Sequence, residues 1–355
     1  MIPVSIDIEQ PGQLLAYLRA SGRVGPSEQI AMRTLAGGVS NRTVLVARPS
    51  GEAWVIKQAL PKLRVKVDWL SDPARIHKEA LGLYWLAKLI EPESSGAGVP
   101  GAITQLVFED HQYHLLAMQA VPQPHENLKD LLLAGKIEPD YLRQFAALLG
   151  EIHRQGYLRR AEVAPVFHDR SFFESLRLEP FYEYAAARVP AAARFMTQLL
   201  ESTRAIRLTV VHGDYSPKNL LVHQGRVVLL DHEVIHFGDP AFDVGFAFAH
   251  LLSKAHHLLP QRDGFANGTR ACWQTYMRTL GDVPWSDGLE PLAVQHTLAC
   301  LLARVAGRST LEYLSPAERV SQQKAVVSLM AAPPRTIDGL INGFLEGIGT
   351  QHAQD

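Results

Sequence analysis

Residues 210–245, VVHGDYSPKNLLVHQGRVVLLDHEVIHFGDPAFDVG, constrain this chain more than any other stretch. An apolar run delivers Asp214 in His212-Gly213-Asp214. Asn219 follows five residues later, and a hairpin-like pattern then leads to Asp231, twelve residues beyond Asn219. Phosphoryl transfer from ATP needs this set. One carboxylate orients a hydroxyl and accepts its proton, while an amide oxygen and a second carboxylate hold Mg²⁺ on the phosphates. Mg²⁺ asks for hard oxygen ligands, and one or two from the protein suffice. Without that chemistry the same residues would be polar turns capped by Asp and Asn.

The segments before this stretch supply matching parts. Residues 43–48 and 53–58 are β-branched and apolar, joined by Pro49-Ser50-Gly51-Glu52, which is turn chemistry. Lys57 lies on the second of these strands, in Trp54-Val55-Ile56-Lys57. Residues 75–90 carry apolar positions at helical spacing and include Glu79, 22 residues after Lys57. A lysine and a glutamate so placed would form the ion pair that steadies phosphate charge. Gly37, Gly38, Ser40 and Asn41, just before the first strand, would form a loop whose backbone N–H groups approach phosphates. Residues 103–109 and 113–121 read as further strands, and residues 12–20 as a helix. After Val121-Pro122-Gln123-Pro124 long helical patterns take over, interrupted only by a strand-like stretch at 220–231. The expected organisation is α+β and bilobal, with a small β-rich lobe over residues 1–121 and a larger, mainly helical lobe over 122–355.

Balanced charge, Lys+Arg 35 against Asp+Glu 36, gives no sign of a nucleic-acid wrapper or a polybasic membrane binder. Cys272 and Cys300 are too few for a disulfide framework and read as buried free thiols in a reducing compartment. The first residues lack a basic, apolar leader pattern, and no apolar run approaches the ~20 residues of a membrane span. The chain is therefore expected to be soluble and cytoplasmic, and a homodimer is compatible with its larger lobe.

The motif set resembles the aminoglycoside phosphotransferase, choline kinase and methylthioribose kinase superfamily, the small-molecule relatives of protein kinases. HGDYSPKN is similar to its HGD-x4-N loop, and residues 238–243, GDPAFD, to its later G-D-P-x-x-D element. The resemblance spans roughly residues 30–310 and implies a protein-kinase-like fold and an enzyme that uses ATP and Mg²⁺ on a small-molecule hydroxyl. It implies Asp214 as catalytic base, Asn219 and Asp231 as metal ligands with Glu233 beside them, and adenine contacts from backbone near Gln119 and Val121. Asp243 would stiffen the catalytic loop without touching substrate. Lys218 would stabilise transferred charge or be a solvated loop residue.

Local islands resemble methylthioribose kinases: Lys57-Gln58-Ala59-Leu60-Pro61, the Trp69-containing segment after it, Asp231-His232-Glu233, and Arg304-Val305-Ala306-Gly307-Arg308, where the second arginine is displaced. They imply Trp69 as a substrate-side residue covering the active site, against packing under its loop, and Arg304 as a substrate or phosphate contact, against a salt bridge. A sugar or thiosugar acceptor such as methylthioribose follows. From Asp239 onward, 11 acidic residues against 9 basic ones make no strong anionic field for a polycationic aminoglycoside. Antibiotic O-phosphorylation is the enzyme alternative, and a catalytically silent nucleotide sensor the alternative of another class.

Overall fold

The computed structural model describes residues 6–35, 39–64, 69–90 and 102–349. The chain forms two compact units: Met1–Lys88 with Ile103–His125 and Leu230–Glu233, and Leu89–Ala102 with Glu126–Leu229 and Val234–Asp355.

The first unit contains α1 (Pro11–Ala20), β1 (Ala31–Thr34), β2 (Asn41–Ala47), β3 (Ala53–Ala59), α2 (Arg75–Leu89), β4 (Leu106–Asp110) and β5 (Leu115–Gln119). The strands form one antiparallel sheet in the order β1-β2-β3-β5-β4. Side chains on a strand alternate between faces, and β3 uses both. Trp54 and Ile56 join Leu14, Tyr17 and Leu18 of α1 in one core. Val55 and Ala59 join Ile76 and Leu83 of α2 in the other, with Leu230 packed against it. Lys57 shares the parity of Val55 and Ala59, so it points to the α2 face. On α2, Ile76, Ala80, Leu83 and Leu86 recur at helical spacing and are buried, and Glu79 lies within that stripe. Two periodicities thus bring Lys57 to Glu79.

The second unit is mainly helical. Its long helices include Pro139–Leu158, Pro240–His257, Arg262–Leu280 and Leu289–Ala306. Helix Pro240–His257 is buried along almost its whole length, which is why its sequence is apolar on nearly all sides. At Gly245 a Cβ would lie 2.4 Å from that of His296, so glycine is what lets this helix approach Leu289–Ala306. The sequence reading allowed one strand-like interruption here, and that needs correction. Beside β8 (Leu220–His223) and β9 (Arg226–Leu229) there are β6 (Glu126–Asn127), β7 (Thr209–Val211) and β10 (His236–Gly238). Strands of two or three residues are too short to show alternation. Their partners hold them: β7 pairs with β10, and β6 adds to β8.

Residues Glu174–Glu183 form a π-helical run. Pro180 sits inside that run, where an α-helix would lose a hydrogen bond to it. Cys272 and Cys300 are buried and free, and burial pushes both thiols up to about 12. No helix among the described residues is long and apolar enough to cross a membrane.

Candidate active site

In the first unit, the Lys57 ammonium meets two carboxylates, Glu79 Oε1 at 2.5 Å and Asp231 Oδ1 at 3.2 Å. Burial alone would lower the ammonium's pKa, but Asp231 and Glu79 outweigh it and leave it raised. Burial raises the Glu79 carboxyl; Lys57 pulls it back, and Asp231 and Glu233 push it further up. Glu79 Oε2 is buried and makes no hydrogen bond among the described residues. Asp231 adopts φ 69°, the left-handed region that a non-glycine residue occupies at a cost of about 1–3 kcal/mol. Such backbone is kept where a side chain must be aimed.

Glu233 pairs with Arg75 at 3.2 Å. Arg75 is fully buried and also donates to the carbonyls of Ser71, Asp72, Leu60 and Ser40. One guanidinium therefore ties together the start of α2, the entry to β2 and the Asp231-His232-Glu233 segment. The sequence reading missed it. Its signal was position: four residues before Glu79, on the same face of α2. Ser40 and Asn41 are buried, with Asn41 Nδ2 donating to Ser40 Oγ, while Gly37 and Gly38 lie outside the described residues. The Gln119 N–H is spent on the Gln105 carbonyl, and the Val121 carbonyl lies 3.1 Å from His125 Nδ1. Trp69 is half-buried and its carbonyl accepts from Leu63 N–H.

In the second unit, β7 ends at Val211 and the chain turns at Gly213, whose φ is 79°. A Cβ there would meet Val234 Cγ2 and the Val234 carbonyl, both at 3.0 Å. The turn is fixed from beneath by Asp243. Its carboxylate is fully buried and accepts from His212 N–H at 2.6 Å and Gly213 N–H at 2.8 Å, with His153 Nε2 at 3.3 Å. Burial raises this carboxyl, but His153, His212 and the Gly213 N–H more than offset it, leaving it below the usual range. Asp239 caps helix Pro240–His257 through Ala241 N–H and lies 3.2 Å from His296. Tyr215 anchors the far side by donating to the Phe145 carbonyl at 2.6 Å.

Asp214 is thereby presented with an asymmetric carboxylate. Oδ2 accepts from Asn219 Nδ2 at 2.7 Å and from Arg177 Nη2 at 2.9 Å. Oδ1 makes no hydrogen bond among the described residues. Asn219 spends its Nδ2 on Asp214, on both carboxylate and main-chain carbonyl, which leaves its Oδ1 as the oxygen a hard cation would take. Lys218 is exposed, and its carbonyl accepts from Asn127 Nδ2. Arg177 is the second residue the sequence reading missed. It projects from the π-helical run and also donates to the Gly213 and Leu176 carbonyls. Nothing in its local spacing announces that role.

Arg304 is buried near this loop without a salt bridge among the described residues. It donates to the Ser309 carbonyl at 2.9 Å and Ser309 Oγ at 3.2 Å, and its Nη2 lies 3.0 Å from His250 Nε2.

Residues 31–277 match the phosphotransferase enzyme family. The chain belongs to that family. It is therefore a phosphotransferase of the small-molecule kinase kind, and its fold is the bilobal protein-kinase-like one. Among its relatives, methylthioribose kinase 2 of Oryza sativa subsp. japonica is 24% identical over 301 residues, covering 76% of this chain and 68% of the relative. Methylthioribose kinase of Pectobacterium carotovorum subsp. carotovorum is 23% identical over 335 residues, covering 84% and 81%. An amicoumacin kinase solved in complex with AMP-PNP, Ca²⁺ and Ami superposes with a TM-score of 0.57 at 11% identity, covering 92% of this chain and 97% of the other. A macrolide 2′-phosphotransferase from Brachybacterium faecium gives 0.51 at 18% identity, covering 90% and 98%. At these identities the solved structures speak for the fold alone.

Proposed function

We propose that this phosphotransferase moves the γ-phosphoryl group of ATP to a hydroxyl of a sugar or thiosugar. Four relatives carry the name methylthioribose kinase, which makes methylthioribose the neutral acceptor to test first. The observation that carries the reading is Asp214: one carboxylate oxygen is clamped by two donors and the other is uncommitted. That is the arrangement for receiving a hydroxyl proton in a fixed direction. The reaction needs little covalent chemistry from protein, so positioning and charge dominate.

Lys57, held between Glu79 and Asp231, meets phosphate oxygens as a fixed positive charge. Asp231 of the first unit, with Glu233 beside it, and Asn219 of the second would each offer an oxygen to Mg²⁺. Each fits by its donor chemistry in its own unit: Glu79, Asp231 and Glu233 outnumber Lys57 and Arg75 in the first, and Asn219 keeps its Oδ1 in the second. When bound, the cation neutralises charge on the phosphates. Lys218 stands exposed in the same loop as a further positive charge.

The test is a mass-spectrometric screen with Mg²⁺ and ATP over methylthioribose, other pentoses, choline and an aminoglycoside panel, with Asp214→Ala as the blank. Transfer to a sugar that vanishes in the blank supports the reading. Transfer confined to aminoglycosides, or equal in the blank, overturns it.

A further inference from the structure

Resting on the kinase reading above, we propose that the acceptor carries an anionic group, a carboxylate or a phosphate, and that Arg304, backed by Lys254 and Tyr313, receives it. The acceptor is then a sugar acid or sugar phosphate in preference to a neutral sugar.

Two cations lie buried in the second unit with no carboxylate at salt-bridge distance among the described residues. Lys254 is fully buried and Arg304 is 9% exposed. Lys254 makes one hydrogen bond, to the His250 carbonyl at 3.2 Å. The Arg304 partners, Ser309 and His250, are neutral groups, and its Nε has none. The Phe181 and Phe246 rings lie 4.7 and 4.9 Å from its guanidinium carbon. Aromatic faces return only part of what desolvating a cation costs. A buried guanidinium and ammonium without a counter-charge are therefore retained at a net expense to the fold, which a bound anion would offset. The guanidinium fork is also the group best shaped for carboxylate and phosphate oxygens.

The position is right for an acceptor. Arg177, which pairs with Asp214 at 2.9 Å, has its guanidinium carbon 6.0 Å from the centroid of the same Phe181 ring. The Phe181 ring is thus a common neighbour of Arg304 and of the Arg177 that holds Asp214, and Asp214 is the leading charge acting on Arg304 after burial. The Tyr313 ring lies 5.3 Å from Lys254 Nζ, and its buried hydroxyl has no hydrogen-bond partner among the described residues. The surrounding field is positive: His250 is pushed well below its ordinary value by burial first, then by Arg304, Lys254, Lys218 and Lys129. The nearby acids do not cancel it. Asp214 is the charge that most favours the Arg304 cation, yet burial outweighs it and leaves the guanidinium's pKa lowered; one Asp214 oxygen is already held by Arg177 and Asn219, and the mostly exposed Glu312 pairs with Lys129. Asp130 acts on Lys254 less than Lys129, Glu312 and Arg304 do.

The test is titration calorimetry at pH 7 with saturating Mg²⁺ and AMP-PNP, so that the nucleotide site is filled. The probes are ribose, ribonate and ribose 5-phosphate. At least one of the two anions is expected to bind ten-fold or more tightly than ribose, and which one tells carboxylate from phosphate. Arg304→Gln should erase that preference. Lys254→Met, close in size, should weaken anion binding several-fold while raising Tm, an opposition that a purely structural lysine would not show. Equal binding of all three probes, binding of none, or a preference that survives both variants overturns the proposal. A preference for anions here, with no transfer from ATP to any acceptor in the mass-spectrometric screen above, would instead refute the kinase reading and leave the anion site standing.

Discussion

Asp243→Asn is the perturbation whose size the structure sets most directly. The carboxylate receives three donors in a fully buried site, two of them the backbone N–H groups of His212 and Gly213 that immediately precede Asp214. An asparagine keeps one acceptor oxygen and turns an NH₂ toward the second N–H. One buried N–H is orphaned, at about 1–3 kcal/mol, and the remaining bond loses its charge assistance, about 1 kcal/mol more. The sum of about 2–4 kcal/mol corresponds to a Tm lowered by about 3–5 °C for a chain of this size. Far-UV circular dichroism on heating measures it. Below Tm, kcat should fall at least ten-fold with the KM for ATP within three-fold, because the loop carrying Asp214 is released. The pH dependence has a definite sign. The folded carboxyl is depressed, so its contribution is present above the ordinary value of 3.8 and is lost as pH falls through the folded value. The Asn variant lacks that acid-sensitive component. A Tm within 1 °C of the parent together with unchanged kcat would refute the reasoning.

Glu79→Gln should lower kcat/KM for ATP by ten-fold or more, since Lys57 loses the closer of its two carboxylates; steady-state kinetics decide, and an unchanged value would remove the pair from the account. Gly213→Ala forces a Cβ to 3.0 Å from a carbonyl oxygen at a positive φ, and a loss of more than about 1 kcal/mol is expected on urea denaturation. The Lys254 ammonium is lowered to about 7 by burial, then by Lys129 and other charges, from 10.5 in the open chain. Between those values the unfolded chain binds more protons, so parent stability should rise with pH there by on the order of 1 kcal/mol per unit from this group. Lys254→Met should flatten that rise between pH 7 and 9; equal slopes would show that Lys254 does not titrate in this window.

What was legible in the sequence was whatever strict periodicity or short spacing encodes. Lys57 and Glu79 lie at matching positions of a period-2 strand and a period-3.6 helix, so their meeting follows once sheet and helix are recognised. The HGD-x4-N loop reads locally because Asn219 reaches back only five residues to Asp214. Arg75 was hidden because its partners come from four separate stretches, and Arg177 because it reaches Asp214 across 37 residues from a π-helical run with no sequence signature. Lys254 sits in a helix so apolar that its burial is visible only once the neighbours are packed. The pairing of β7 with β10 was unreadable for a different reason: three residues carry no pattern.

The central claim, that Asp214 is the group on which phosphoryl transfer turns, is tested most directly by comparing the parent and Asp214→Asn for turnover of an accepted substrate and for binding of Mg²⁺-ATP. Asparagine preserves shape and removes the proton acceptor. Turnover should fall by about 10²–10⁴-fold while the Kd for nucleotide stays within three-fold. An Asp214→Asn protein that transfers phosphate at the parent rate would contradict the account.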